Sequence, residues 1–387
     1  MPLADHKAPF LAGTVASITG TAASLGIALS AFQALGATKS QTTSAIVVNT
    51  AIFGLLSIFL SRKYRIPISI VWSTPGAALL ISSGELGLPF SDAVGAFIFS
   101  SLLLLLTGLW PRLGKLVSSI PKPIASAMLA GVIFSFCVAT FKASAEWPLI
   151  VLPALIAWLV LHKVATVWAT PVAMVLIFSL TAISRGITVP VESFLPTVEF
   201  VMPTLNFTAI LSIGIPLYLV TMASQNIPGI AIMKNFGYEV PFKPVMIYTG
   251  ASSVVANMFG GIPMNLAAIT AALNANDEAH KDPARRWLAP VWGGYVYLVI
   301  AVLAGAAVAF VLQAPRQLIL AAAGIALIGT IVNSLSAATE VTELRIPAMI
   351  TFLIGASGIS AFEIGSAFWA LLAGVLVWAW LGRRKTA

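Results

Sequence analysis

Long apolar runs alternate with short polar stretches along the whole chain. They fall near residues 10–34, 42–60, 66–83, 91–110, 121–141, 147–161 and 164–184. After an irregular, proline-containing stretch at 189–205 they resume near 207–234, 244–258, 262–275, 287–312, 316–336, 346–360 and 364–381. About 20 apolar residues carry an α-helix across a hydrocarbon core of about 30 Å, and a shorter run suffices only where a helix is broken. The pattern predicts an all-α polytopic membrane protein of seven segments followed by seven more. An odd number in each half turns the second half upside down relative to the first, the inverted-repeat plan of many secondary transporters. The expected repeats are 1–187 and 188–387. A weak internal match agrees: Phe32-Gln33-Ala34-Leu35-Gly36 closes the first segment much as Met233-Lys234-Asn235-Phe236-Gly237 closes the eighth.

Two segments depart from the pattern in the same way. Phe259-Gly260-Gly261-Ile262-Pro263-Met264-Asn265-Leu266-Ala267-Ala268 is apolar enough for membrane depth, yet its glycine pair and proline oppose a continuous helix, so the helix is expected only after Pro263. Ile66-Pro67-Ile68-Ser69-Ile70-Val71-Trp72-Ser73-Thr74-Pro75 repeats the device in the first half. Extended backbone inside a bilayer must find hydrogen-bond partners or line a cavity, which predicts a paired two-stranded element between residues near 67–72 and 262–267. A half-helix that starts at mid-depth points its positive dipole end into that space and favours an anion there. Two ordinary spans with proline kinks are the plainer alternative.

Composition narrows the class. Of 387 residues, 59% are hydrophobic and 9% charged, which excludes a soluble globular domain and leaves no polar stretch long enough for a separate one. The net charge of +8 would point to nucleic acid in a soluble protein; here the positive-inside rule accounts for it, and no nucleic-acid partner is expected. With the N-terminus cytoplasmic, most cations fall inside, among them Lys7, Arg62, Lys63, Arg65, Lys115, Lys163, Lys281, Arg286, Arg383, Arg384 and Lys385. Only Lys39, Lys142, Arg185 and Arg316 fall outside, and a missing span would scramble this bias. The single cysteine, Cys137, reads as a buried small hydrophobe rather than a nucleophile. The N-terminus lacks the short core and cleavage site of a signal peptide and is expected to stay as the first span.

Candidate chemistry is sparse and mostly neutral. The eighth segment carries Ser224, Gln225 and Asn226, followed by Pro228-Gly229, which is expected to open the backbone one turn beyond the amides. Amides in hydrocarbon need partners, either a neighbouring helix or a ligand. Asn265, just past the break, is weighed likewise. Ser73 and Thr74 start the first half-helix, where hydroxyls either cap free N–H groups or meet a carboxylate. Thr19 and Thr21 lie in a Gly/Ala/Ser/Thr-rich first segment that also suits close helix packing. No Asp, Glu, Lys, Arg or His stands near the middle of a predicted span, so no relay of buried carboxylates is visible; Glu340 and Glu343 at the cytoplasmic edge are the nearest acids, either proton carriers or a solvated loop. The charged loop from Asn274 to Arg286 either latches against other loops or solvates a turn. No metal cluster, phosphate-binding loop or catalytic set is present in the sequence, and no cofactor is expected.

Three stretches together carry a resemblance: Asn226-Ile227-Pro228-Gly229-Ile230-Ala231, Pro263-Met264-Asn265-Leu266-Ala267-Ala268, and Ala279 to Trp287, reading Ala-His-Lys-Asp-Pro-Ala-Arg-Arg-Trp. In these the chain resembles the benzoate:proton symporter family of bacterial inner membranes. The resemblance implies a uracil-transporter-like fold, with a core domain of spans one to four and eight to eleven moving against a gate domain of spans five to seven and twelve to fourteen. Nucleobase members of that wider fold carry a carboxylate in span eight and another early in the helix of span ten. The matching places here hold Ser224 and Ile269, which favours a carboxylate substrate over a nucleobase. The expected activity is import of benzoate or a similar aromatic carboxylate with protons by alternating access. Trp72 and Met264 would hold the ring, and the carboxylate would lie at the facing helix starts near Ser73, Thr74, Ser224, Gln225, Asn226 and Asn265. Membrane lipid surrounds such a protein, both termini are expected in the cytoplasm, and a homodimer is left open. A passive anion channel on the same fold, or a carrier of another small organic anion or nucleobase, is the competing reading.

Overall fold

The computed structural model describes residues 4–110, 112–113, 120–267, 269–359, 361–362 and 364–382. Lys115, Arg383, Arg384 and Lys385 of the expected cytoplasmic set, and Ala268, lie outside the described residues. The first half comprises α1 (Ala4–Ala34), α2 (Lys39–Tyr64), the strand β1 (Ile70–Trp72), α3 (Thr74–Ser83), α4 (Phe90–Leu109), α5 (Lys122–Glu146), α6 (Pro148–Val164) and α7 (Thr166–Arg185). The second comprises α8 (Phe207–Asn235), α9 (Phe242–Asn257), the strand β2 (Met264–Leu266), α10 (Ile269–Ala275), α11 (Leu288–Val311), α12 (Arg316–Thr339), α13 (Arg345–Ser357) and α14 (Ser366–Gly382). Among the described residues, α1, α2, α4, α5, α7, α8, α11 and α12 are long and apolar enough to cross a membrane, and α6 and α14 are shorter apolar helices. The chain is a mostly helical, multi-span membrane protein.

Local sequence explains how α2 delivers the chain to β1. Thr38 and Gln41 form a capping box: the Gln41 N–H donates to Thr38 Oγ1 at 3.2 Å, and the Thr38 N–H donates to Gln41 Oε1 at 3.0 Å. At the other end Arg65 turns left-handed (φ 56°) while its N–H closes on Ser61 O at 2.9 Å. Pro67, which lacks an N–H and disfavours helix in the residue before it, then keeps the chain extended into β1.

The eighth segment corrects one expectation. Pro228 does not open the backbone; α8 runs from Phe207 to Asn235 and passes both Pro216 and Pro228. It does so through two wide π-turns, Ile210–Gly214 and Met222–Asn226, each ending just before an Ile-Pro pair. The Ile215 N–H reaches back to Ile210 O, and the Ile227 N–H to Met222 O. A proline ring collides with the carbonyl four residues earlier in an α-helix, and a locally wider turn moves that carbonyl aside. The second π-turn contains Ser224, Gln225 and Asn226 and so sets the directions of all three.

Helices α2 and α11, α4 and α9, and α1 and α11 pack extensively, as do α5 with α12 and α13, and α6 with α7. Small residues allow the closest approaches. A Cβ on Gly54 of α2 would lie 2.8 Å from Gly294 O of α11, and one on Gly294 would lie 2.6 Å from Gly54 O, so neither position has room for a side chain. The main buried apolar cluster runs through α1, α2, α3, α4, α8, α9 and α11 and extends into α5, α12 and α14, with Phe32, Phe53 and Phe97 among its largest members. A second, smaller cluster joins α5, α6, α7 and α12.

Candidate functional site

The expected strand pair is present, shorter than predicted. β1 and β2 are antiparallel, with Ile70 opposite Leu266, Val71 opposite Asn265 and Trp72 opposite Met264. A two-stranded ribbon has two open edges, and at membrane depth those edges need partners other than water. Side chains from four helices supply them. From α2, Ser57 Oγ accepts from the Ile70 N–H (2.9 Å), Ser61 Oγ donates to Ile68 O (2.8 Å), and Asn49 Nδ2 donates to Ile262 O (2.8 Å). From α9, Ser253 Oγ accepts from the Met264 N–H (2.8 Å), and Asn257 Nδ2 donates to Gly261 O (2.7 Å) while its Oδ1 accepts from Ser101 Oγ of α4 (2.6 Å). From α8, Asn226 Oδ1 accepts from the Leu266 N–H at 2.9 Å. From α10, Asn274 Nδ2 donates to Ser69 Oγ at 2.9 Å, and the Ala267 N–H closes on Ser69 O at 2.9 Å.

This frame separates the predicted residues into two groups. Asn226 and Asn265 are fully buried and occupied by backbone. With its amide turned so that both atoms meet complementary partners, Asn265 Oδ1 accepts from the Ser73 N–H (2.8 Å) and its Nδ2 donates to Leu266 O (3.0 Å). Ser73 is the N-cap of α3, its Oγ accepting from the Gly76 N–H at 3.0 Å. Ser224 Oγ turns back to Val220 O at 2.6 Å. Gln225 and Thr74, by contrast, are half-buried, and neither side chain makes a hydrogen bond among the described residues. Met264 and Trp72 are buried, and the Trp72 ring meets Phe53 edge-on at 5.5 Å. Thr19 and Thr21 are buried in α1, and Thr19 Oγ1 has no partner.

Glu340 and Glu343 lie away from this frame. The Glu340 side chain is 66% exposed and stands 3.9 Å from Lys122 Nζ, and Glu343 is exposed on the short turn before α13. The loop after α10 is folded rather than merely solvated. Arg286, only 6% exposed, donates to Ala275 O at the end of α10 (2.7 Å) and to His280 O (2.8 Å), and it pairs with Asp277. Tyr238, from the α8–α9 link, donates to Pro283 O at 2.8 Å; burial pushes its phenol above the usual range, and the Arg286 guanidinium acts against that shift. The Arg65 guanidinium lies over the Trp287 ring at 4.3 Å, tying the same loop to the end of α2.

Sequence reasoning missed the supporting polar residues Asn49, Ser57, Ser61, Ser253 and Asn257. Their signal was legible: Ser57 and Ser61 are four apart, and so are Ser253 and Asn257, each pair on one face of a mostly apolar helix. Arg286 is the one buried charged side chain among the described residues. The groups free to meet a ligand at the strand pair are therefore neutral donors and acceptors beside apolar walls.

A family model described as benzoate membrane transport protein (BenE) matches residues 4–380. The inner membrane protein YdcO of Escherichia coli (strain K12) is 37% identical over 368 residues, covering 94% of this chain and 93% of that protein. The benzoate membrane transport protein of Acinetobacter baylyi is 32% identical over 347 residues, covering 89% and 86%. Among solved structures, the transmembrane domain of the cyanobacterial bicarbonate transporter BicA aligns with a TM-score of 0.61 at 16% identity, covering 97% of this chain and 98% of that one. The murine anion transporter Slc26a9, inward-facing, aligns at 0.63 and 14% identity, covering all of this chain and 70% of that one. These likenesses show the fold alone, and they replace the expected uracil-transporter reference with the BicA and Slc26a9 membrane domains. Through the family match and the Acinetobacter relative, both described by membrane transport, the chain is a membrane transporter and not an enzyme, and it belongs to the benzoate membrane transport protein family.

Proposed function

We propose that the protein imports benzoate or a similar aromatic carboxylate together with a proton, by alternating access across the bacterial inner membrane. The observation that carries this reading is the strand pair with its half-helix α3, beside which Gln225 and Thr74 keep neutral polar groups free while Trp72 and Met264 bring apolar surface. An aromatic acid needs that combination: apolar contact for the ring, and donors and a helix N-terminus for the carboxyl group. Asn226, Asn265 and Ser73 position the frame; Ser224, Thr19 and Thr21 complete its polar lining.

Fourteen spans in two inverted repeats fit the order of elements. The packing supports a core of α1–α4 with α8–α11 and a gate of α5–α7 with α12–α14, since the most extensive helix pairs stay within one group or the other. A benzoate ion would enter an inside-negative cell against about 2.3 kcal/mol per 100 mV, so accumulation needs a co-transported cation. The carboxyl group itself is the favoured proton carrier, with Glu340 and Glu343 as the chain's alternative. Proteoliposomes under an imposed pH gradient, acid outside, test the reading: uphill benzoate uptake is expected and should survive Glu340→Gln with Glu343→Gln. The solved neighbours include a protein described as an anion transporter, which favours a facilitator as the second reading. Downhill flux with no response to the gradient would establish that facilitator instead.

A further inference from the structure

The polar groups at the heart of the protein include one that the strand pair leaves unused. Tyr297, on α11, is 2% exposed, and among the described residues its hydroxyl makes no well-aligned hydrogen bond. Two other buried hydroxyls face it, Ser17 of α1 and Thr270 of α10. Thr270 and Tyr297 meet over Gly20 of α1, where a Cβ would lie 3.3 Å from Thr270 Oγ1 and 3.8 Å from the Tyr297 hydroxyl, and Ser17 lies against Gly293 of α11, one turn before Tyr297. The Tyr297 ring meets Phe53 edge-on at 4.7 Å, and Phe53 in turn meets Trp72 of β1. The cluster is thus joined through one aromatic ring to the strand pair.

A buried phenol whose polar neighbours are two hydroxyls set off good hydrogen-bond geometry forgoes part of the about 1–3 kcal/mol that a well-aligned bond is worth, which is tolerated where a ligand supplies that bond. The chemistry of the cluster says what kind of ligand. A hydroxyl both donates and accepts, and no cation or carboxylate is among the three. A bare carboxylate only accepts and is best held by Arg or Lys. A protonated carboxyl group carries one O–H donor and one C=O acceptor, and amphoteric hydroxyls satisfy both.

We propose that Ser17, Thr270 and Tyr297 form a second subsite that takes the carboxyl group of the substrate once it is protonated, whereas the α3 helix start favours it as the anion, with Tyr297 as a substrate-contacting residue. This rests on the reading of the protein as a proton-coupled carrier of an aromatic acid. The proton taken from water on the outer side is bonded to a carboxyl oxygen during the crossing and returns to water inside, so the cargo in the low-dielectric interior is neutral and one proton accompanies each acid. Gly20 lets the Thr270 and Tyr297 hydroxyls approach α1 closely.

The test is equilibrium binding of benzoate to the purified protein at about pH 5 and about pH 8, values on either side of the range in which the protonated acid becomes scarce, together with proton-driven uptake. Tyr297→Phe keeps the ring and its packing against Phe53 and removes only the hydroxyl; Thr270→Val is the second variant. In the wild type, binding is expected to be at least tenfold tighter at the lower pH, and both variants should lose most of that ratio while keeping the wild-type melting temperature. Uphill uptake by Tyr297→Phe should fall at least tenfold. An unchanged pH ratio of binding in both variants overturns the subsite, as does wild-type binding with no pH preference. If wild-type binding follows pH but an imposed gradient drives no accumulation, the coupled-transport reading fails while the subsite stands.

Discussion

Gln225 and Asn226 are adjacent amides, and in the sequence nothing separates their roles. In the structure the π-turn at Met222–Asn226 sends Asn226 into the strand pair, where it accepts from the Leu266 N–H, and leaves Gln225 half-buried with its amide free. Replacing each with Ala should therefore have different effects. Asn226→Ala orphans a buried backbone N–H, at a cost of about 1–3 kcal/mol, and should lower the melting temperature along with transport. Gln225→Ala removes a group bonded to nothing in the chain, so the melting temperature should hold. Transport should fall at least about tenfold if that amide supplies one bond of about 1.4 kcal/mol to the substrate. Measuring thermal unfolding and initial uptake on both variants separates the roles; equal losses of stability would make Gln225 another packing amide. The amides of the site were legible because amide and charged side chains are rare in this chain. Their division into support and contact was not, because it depends on a turn geometry that composition does not reveal.

At the level of elements, prolines told half the story. Pro67 and Pro263 each precede extended backbone, as their missing N–H and restricted φ require, and the strands follow three and one residues later at Ile70 and Met264. Pro216 and Pro228 have the same local chemistry yet stay inside α8, because a π-turn before each absorbs the clash. What distinguishes the two cases is how the backbone is satisfied: β1 and β2 have each other and the side chains of α2 and α9, whereas α8 keeps its own helical bonds through the π-turns even where Gly229, next to Pro228, packs against Leu266 of β2. The serines of α2 and α9 are thus as much a part of the strand pair as its own residues. Ser57→Ala or Ser253→Ala should free the N–H of Ile70 or Met264 and cost about 1–3 kcal/mol, seen as a lower melting temperature. Serine replaced by Thr keeps the hydroxyl and should recover part of the loss. Melting temperatures unchanged in both alanine variants would mean that the ribbon does not depend on its flanking helices.

At the scale of the whole molecule, the inverted arrangement can be tested through the distribution of charge. Lysines and arginines near span ends resist crossing a bilayer, so their bias fixes which loops stay in the cytoplasm. The proposed topology puts Lys39 and Arg316 in the sparse outer set and Lys163 and Lys281 in the dense inner one, and all four are exposed. If seven spans are followed by seven inverted ones, the loop after α1 and the loop before α12 share the outer side, and those after α6 and α10 share the inner. The chain's own cysteine helps, because Cys137 is buried against Gly324 of α12 and offers a membrane-impermeant reagent little to attack. Cysteine placed at Lys39 or Arg316 should therefore label in intact cells with a charged maleimide, and cysteine at Lys163 or Lys281 only after the membrane is opened. The pair in the second half decides the matter, since it lies beyond the irregular link between α7 and α8, where one miscounted span would exchange the sides. Labelling of Lys281→Cys from outside, with Arg316→Cys protected, would set the second half the other way up and overturn the proposed symmetry, in which β1 and β2 reach one depth from opposite faces of the membrane.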